Sequence, residues 1–214
     1  MTQEQVRELI NLFENCYKNE YQTIGNDVDY LCVRINNILY IFFKGSDSEE
    51  DWRANFAFGR KPYKDTEVSY KVHGGFLERW KEVEDTVAAQ IKDDTIEKIV
   101  IAGYSHGAAL AAFCHEFCWY HRKDLRAHIW GVGFESPRVY GGLKVKKELE
   151  ERWAQFFVIR NGKDIVTHLP PRCFGFCHVG KVIKIGQGRN HGYIKAHTAD
   201  AVKESLMDIA GWVS

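Results

Sequence analysis

The chain lacks an excess of charge of either sign, because its 214 residues contain 29 Lys and Arg residues and 29 Asp and Glu residues. Nucleic-acid-binding domains and proteins held on anionic membranes carry a basic patch or a basic net charge, so this balance argues against both. The chain also has no apolar run that approaches the length of a transmembrane helix. We therefore expect no nucleic-acid partner, and at most transient contact with a membrane or lipid interface.

The N-terminus lacks the basic start and the apolar stretch of a signal peptide, since residues 1–5 read Met-Thr-Gln-Glu-Gln. On this ground the sequence predicts a cytoplasmic protein. Internal repeats, low-complexity tracts and linkers are absent as well. The length and continuity of the sequence predict one domain over residues 1–214 and leave the oligomeric state open.

Cysteine is present, but no secretory signal accompanies it, so we expect reduced thiols rather than three disulfides. The six residues are Cys16, Cys32, Cys114, Cys118, Cys173 and Cys177. A zinc site of Cys173, Cys177 and His178 is the alternative. Its Cys-x-x-x-Cys spacing is not the usual one for zinc ligands, so buried free cysteine is the favoured interpretation.

Apolar periodicity predicts helices and strands that alternate from residue 98 onward. The predicted strands are residues 30–35, 38–43, 98–104, 127–134, 155–160 and 179–185, and the predicted helices are residues 2–18, 76–92, 106–121, 142–152 and 196–209. Residues 44–75 have little periodicity and are predicted as loop with short elements. The pattern predicts an α/β fold with a mainly parallel central sheet, helices on both faces and an antiparallel N-terminal hairpin.

The segment Gly103-Tyr104-Ser105-His106-Gly107 lies between an apolar β-branched run and an alanine-rich helix former. Strand, Gly-x-Ser-x-Gly and helix in this order are typical of a nucleophile elbow, a tight turn that presents a serine hydroxyl above a sheet. The backbone N–H of His106 would then lie at a helix N-terminus, where an oxyanion is stabilised. An ordinary glycine-flanked turn is the alternative.

A serine nucleophile needs a base and an acid that orients the base. Asp164 follows a predicted strand and an Asn-Gly turn, at a strand end where open α/β sheets place functional groups. His191 and His197 both come later in the chain, and the residues alone do not decide between them. His168 is too near Asp164 in sequence to be a comfortable partner, and His178 is interpreted as structural.

The turn Lys44-Gly45-Ser46 ends the second predicted strand. A small turn at this place can offer a backbone N–H and a hydroxyl to an oxyanion. The alternative is an ordinary strand-terminating turn.

Six segments in the right order make the chain resemble the class 3 lipases, the family of fungal triacylglycerol lipases and their relatives. The segment at residues 133–139, for example, is similar to the family's Phe-Gly-x-Pro-Arg-Val. The segments are Lys44-Gly45-Ser46 with Asp51-Trp52 and Asn55, then residues 72–76, 103–107, 133–139, 160–171 and 175–180. The resemblance covers about residues 30–210 and implies an α/β-hydrolase fold.

The resemblance implies a role for five residues. Ser105 is the implied nucleophile, Asp164 the orienting acid and His197 the base, and it is the resemblance that favours His197 over His191. Ser46 and the N–H of His106 are the implied oxyanion hole. This chemistry requires no metal ion and no organic cofactor.

The implied activity is that of a serine carboxylester hydrolase that acts on acylglycerols or related lipid esters. The family's lid region corresponds here to the acidic residues 47–51, which leads us to expect short to medium acyl chains and weak interfacial activation. Phospholipase, thioesterase and acyltransferase activities share the acyl-enzyme chemistry and remain alternatives. A catalytically silent binding protein on the same fold is a further alternative.

Overall fold

The computed structural model describes residues 1–17, 21–24, 28–45, 59–64, 68–186, 192 and 195–207. Its main sheet has seven strands in the spatial order β1-β2-β3-β6-β7-β8-β9. The strands are β1 Gln22–Ile24, β2 Val28–Ile35, β3 Ile38–Phe43, β6 Lys98–Tyr104, β7 Ile129–Phe134, β8 Phe156–Asn161 and β9 Lys181–Ile185. The first three strands are antiparallel, and β3 and the four strands that follow it in the sheet are parallel. The predicted sheet and its N-terminal hairpin are confirmed.

Helices cover both faces of this sheet. They are α1 Gln3–Tyr17, α2 Gly74–Gln90, α3 His106–His121 and α4 Ala199–Met207. Successive strand residues point to opposite faces. Thus Ile41 and Phe43 belong to the core on the side of α2 and α3, and Phe42 belongs to the core beneath α1 and α4. None of the described helices is long and apolar enough to cross a bilayer.

The first and last of these helices are joined directly. The carbonyl oxygen of Leu206 in α4 accepts hydrogen bonds from Gln3 Nε2 at 2.7 Å and from Arg7 Nε at 2.9 Å. Lys203 of α4 also pairs with Glu14 of α1. Residues about 200 positions apart in the chain are therefore held together on one face of the sheet.

The segment at residues 44–75 contains one regular unit in its described part, a hairpin of β4 Arg60–Tyr63 and β5 Tyr70–His73. The helix predicted at residues 142–152 is wrong, because the structure has a 3₁₀ segment, Lys147–Trp153. This segment buries Leu149 and Trp153, and Trp153 Nε1 donates to the Ala112 carbonyl of α3 at 3.0 Å. These tertiary contacts outweigh the local preference of the charged run for an α-helix.

The C-terminal helix begins later than the sequence predicts, which matters for the site. Residues Lys195–His197 form a separate 3₁₀ turn before α4. The Thr198 hydroxyl then accepts a hydrogen bond from the Ala201 N–H at 3.3 Å, as an N-cap residue does. His197 therefore lies before the helix and not within its first turn.

Candidate active site

Ser105 occupies the sharp turn between β6 and α3. Its backbone has φ 54° and ψ −121°, a strained combination for a residue with a side chain. The turn is possible because both flanking glycines lie against backbone atoms. A Cβ at Gly103 would lie 2.1 Å from the Gly107 oxygen, and one at Gly107 would lie 2.2 Å from the Phe43 oxygen. The Gly-x-Ser-x-Gly segment thus has the strand, turn and helix geometry of a nucleophile elbow.

His197 connects the serine to a carboxylate. Its Nε2 lies 2.9 Å from Ser105 Oγ, and its Nδ1 lies 2.7 Å from Asp164 Oδ2. The serine is 8% exposed, the aspartate is fully buried and the imidazole is partly exposed between them. The structure brings together three residues that are 59 and 33 positions apart in the sequence, in a continuous hydrogen-bonded chain.

Asp164 is held in its ionised form by hydrogen bonds. Burial alone would raise the pKa of this carboxyl, but hydrogen bonds with Glu135 and His197 and one from the Val166 N–H hold it below its usual value. The Val166 N–H lies 2.9 Å from Oδ1, so each carboxylate oxygen has a donor. A buried carboxylate with donors on both oxygens is suited to orient an imidazole.

Two side chains hold the 3₁₀ turn that carries His197. The Tyr104 hydroxyl donates to the His197 carbonyl at 2.7 Å, and Asn161 Nδ2 donates to the Ala196 carbonyl at 3.1 Å. Sequence reasoning missed both roles, although Tyr104 directly precedes the serine. Sequence reasoning also missed Glu135, the neighbour of Asp164. Its position could have been noticed because Glu135 stands where the family segment at residues 133–139 has glycine.

The ring of His106 is half-buried beside the elbow and packs against Phe76, with ring centroids 5.4 Å apart. Burial lowers the pKa of His106 to about 4, and the nearby cation Arg79 and the ring of His73 lower it in the same direction. The imidazole is therefore neutral near pH 7. Its backbone N–H lies at the N-terminus of α3, where the helix dipole favours negative charge.

The remaining candidate residues lie elsewhere or cannot be placed. Ser46 and His191 are outside the described residues. His168 Nδ1 contacts the backbone oxygen of Asp164 at 2.9 Å, away from its carboxylate. His178 Nε2 contacts the Thr167 carbonyl at 3.0 Å, and burial, together with the charge of Arg160, lowers the pKa of His178 to about 3. His178 is thus a neutral residue that contacts the backbone.

The proposed zinc ligands do not converge. In the described part of the chain, the group of carboxylate, imidazole and thiol side chains close enough to share an ion consists of Glu135, Asp164 and His197, and it includes neither Cys173 nor Cys177. All five cysteines with described side chains are free.

Known proteins identify the fold and the family. A profile of the family "Lipase (class 3)" matches residues 40–174. The chain belongs to the class 3 lipase family. A lipase of Rhizomucor miehei is 30% identical over 158 residues, which cover 67% of this chain and 40% of the relative. This chain thus spans about two fifths of the length of the curated relatives that it matches.

Solved structures of lipases have the same fold. The triacylglyceride lipase of Rhizomucor miehei superposes with a TM-score of 0.72 and 23% identity, over 87% of this chain and 82% of that one. A triacylglycerol lipase whose catalytic centre is a serine protease triad superposes with a TM-score of 0.65 and 28% identity, over 78% and 65% of the two chains. The α/β-hydrolase fold of this class 3 lipase family member is therefore confirmed.

The predicted cytoplasmic location is wrong. A relative from Fusarium solani, 33% identical over 65% of this chain and 41% of its own length, is named a secreted mono- and diacylglycerol lipase. Relatives from Malassezia globosa and Malassezia restricta are named as secreted too. These names contradict the predicted location. The prediction rested on the composition of residues 1–5, which is a weaker indicator than named relatives.

Proposed function

We propose that this class 3 lipase family member is a serine carboxylester hydrolase that acts on acylglycerols or related lipid esters. The observation that carries the proposal is the hydrogen-bonded chain from Ser105 Oγ through His197 to Asp164, with distances of 2.9 and 2.7 Å. Lipid esters are the proposed substrate class because the relatives that this chain matches are named a lipase and a mono- and diacylglycerol lipase.

His197 carries the proton in each step, while Ser105 supplies the nucleophile and Asp164 orients the imidazole. His197 Nε2 takes the proton of the Ser105 hydroxyl while the oxygen attacks the ester carbonyl carbon. Asp164 accepts the Nδ1–H of His197, which fixes the tautomer and stabilises the imidazolium that forms. The imidazolium then gives its proton to the leaving alcohol, and a water molecule hydrolyses the acyl-serine by the same steps in reverse.

The oxyanion is stabilised by the backbone N–H of His106 and by the turn that contains Ser46. Support for the second donor comes from Gly45, the residue before it. A Cβ built on Gly45 would lie 3.0 Å from the Tyr104 oxygen and 3.3 Å from Ser105 Cβ, so Gly45 packs directly against the elbow. One such donor contributes about 3 kcal/mol to the stability of the transition state.

Labelling with a fluorophosphonate probe tests the proposed nucleophile. We expect the wild-type protein to acquire one covalent adduct, located on Ser105 by peptide mass spectrometry, because the probe reacts with serines activated by a neighbouring base. Ser69→Ala, at an exposed serine, is the matched control and keeps the label, whereas Ser105→Ala loses it. An unlabelled wild-type protein, or an adduct on another serine, contradicts the proposal.

The substrate preference is tested with a series of esters of increasing acyl length. The acidic residues 47–51 lie outside the described residues, and their charge disfavours a lid that opens on an apolar surface. We therefore expect kcat/KM about tenfold higher on dissolved short-chain esters than on micellar long-chain esters, a difference of about 1.4 kcal/mol in transition-state stability. Equal rates on both kinds of substrate would refute this preference.

A further inference from the structure

Glu135 is a buried acid at a position that strains its backbone. It follows β7 directly, has φ 53° and is completely inaccessible to solvent. A positive φ is adopted at no steric cost by glycine and is uncommon for other residues. Strain of this kind persists where surrounding interactions hold the residue in place.

Those interactions tie Glu135 to the end of the neighbouring strand. Its N–H donates to the Ile159 carbonyl at 2.9 Å, and its Oε1 accepts the Asn161 N–H at 2.7 Å. Both partners belong to β8, which leads to Asp164. The glutamate therefore fixes the geometry between the strand that it follows and the segment that carries the acid of the proposed triad.

The side chain of Glu135 also meets Asp164 itself. One oxygen of each carboxyl group lies within 4.8 Å of the other and of a ring nitrogen of His197. Two carboxylates at this separation in a buried site cannot both be ionised, so one proton must lie between them. A hydrogen bond between two carboxyl groups requires the same proton.

The surrounding donors decide which group keeps the proton. Asp164 accepts hydrogen bonds from the Val166 N–H at 2.9 Å and from His197 at 2.7 Å. Glu135 accepts one, at Oε1, from Asn161, and no N–H of the described residues reaches its buried Oε2. The negative charge is better stabilised on the aspartate, so the proton belongs on the glutamate.

The charges around the pair agree with this assignment. Burial raises the pKa of Glu135 well above its usual value, and the hydrogen bond and charge of Asp164 raise it further. Arg160, at the end of β8, is a cation whose charge lowers the pKa of Glu135 in part, and it contacts the ring of His168 at 2.9 Å.

We propose that Glu135 is a positioning residue that stays protonated and donates a hydrogen bond from its carboxyl O–H to Asp164. The buried pair then presents a single negative charge to His197. This inference rests on the proposed function for the roles of Asp164 and His197. The donated proton holds the aspartate in the orientation that receives the Nδ1–H of His197. It also spreads the carboxylate charge, which makes Asp164 a weaker acceptor toward His197.

Infrared spectroscopy tests the protonation without any need for activity. In the difference spectrum between wild type and Glu135→Gln at neutral pH, we expect the carbonyl stretch of a protonated carboxylic acid, with a downshift in deuterated water. Glu148→Gln, at an exposed glutamate, is the matched control and lacks the band. Absence of the band from the Glu135 spectrum means an ionised Glu135 and overturns the inference, whatever the protein hydrolyses.

Kinetics separate a positioning role from a purely structural one. Glu135→Gln keeps a hydrogen-bond donor but has no titratable proton, so we expect kcat within about threefold of wild type. If wild-type activity declines at alkaline pH, this variant should not show that decline. Glu135→Gly suits the positive φ but removes the donor, so we expect kcat to fall about tenfold or more. The acid limb of its kcat/KM profile should move up by about one pH unit, because Asp164 becomes a stronger acceptor.

Equal effects of Glu135→Gln and Glu135→Gly, or an acid limb that does not move in the glycine variant, would overturn the positioning role. If the glycine variant does not fold, the infrared band and the kinetics of the glutamine variant still test whether Glu135 is protonated and positions Asp164. Fluorophosphonate labelling of Ser105 in the same preparations distinguishes the two proposals, because it reports on the nucleophile and not on Glu135. Loss of the wild-type label refutes the proposed function, and an absent band with intact labelling refutes only the role of Glu135.

Discussion

His197→Ala should lower kcat/KM for a soluble ester by a factor of about 10⁴ to 10⁶, while His191→Ala should change it by less than about threefold. The expected loss is large because Nε2 of His197, 2.9 Å from Ser105 Oγ, is the atom that we propose takes the proton of the serine. A serine without a base is protonated near neutral pH and a weak nucleophile. Steady-state hydrolysis of a chromogenic short-chain ester by the two variants measures the difference.

The two histidine variants control for each other, since both remove one imidazole from the same part of the chain. Far-ultraviolet circular dichroism and a urea titration establish that each variant is folded. The assignment of the base is contradicted if His191→Ala is the inactive protein and His197→Ala keeps its activity. The residues alone left these two histidines undecided, so the pair of variants is the most direct test of the proposed catalytic chain.

Acidification from about pH 7.5 to about pH 5.5 should remove about 5 kcal/mol of folding free energy through four buried histidines. Burial lowers the pKa to about 4 for His73, His106 and His115, and to about 3 for His178. Below their unfolded value of 6.5 the unfolded chain binds protons that the folded protein excludes. The contribution of these rings to the free energy of unfolding is therefore fully present above pH 6.5 and is lost as the pH falls. The loss is about 1.4 kcal/mol for each ring at about pH 5.5.

Urea denaturation at the two pH values measures this effect. His115→Gln removes one titrating ring, and should shrink the pH dependence by about 1.4 kcal/mol whatever it does to stability itself. His128→Gln, at an exposed histidine, is the matched control and should leave the pH dependence unchanged. An equal pH dependence in wild type and His115→Gln would contradict the prediction.

Glu135 has the opposite effect on the pH dependence of folding stability. Its raised pKa means that the folded protein keeps a proton that the unfolded chain releases as the pH rises above the usual glutamate value. This group therefore favours the folded state on acidification, and Glu135→Gln should make the acid loss steeper. The same titration thus connects the stability prediction to the proton inferred between Glu135 and Asp164.

The parts of the fold that follow from local pattern could be predicted from the sequence. Strand β3 at residues 38–43, strand β6 at residues 98–104 and helix α3 at residues 106–121 have the predicted bounds. These elements are strongly periodic or uniformly apolar, and they are buried in the structure, so propensity and packing favour the same conformation. The elbow could also be predicted, because the tight turn itself requires glycine at positions 103 and 107.

The parts that depend on distant contacts could not be predicted. Residues 147–153 are charged enough to suggest a helix, but the burial of Leu149 and Trp153 decides their conformation. His197 is placed by Tyr104 and Asn161, which lie 93 and 36 positions earlier in the chain. Glu135 meets Asp164 only because β7 and β8 are neighbours in the sheet. Such pairings arise from tertiary structure and leave no periodic trace.

The junction of α1 with α4 has a consequence during biosynthesis. A ribosome-bound chain contains the elbow serine long before residue 197 has been synthesised. The helix that follows His197, α4, must then pack against α1. An unfinished chain therefore holds a nucleophile without its proton acceptor. The proposed triad is therefore complete only after α4 has packed against α1.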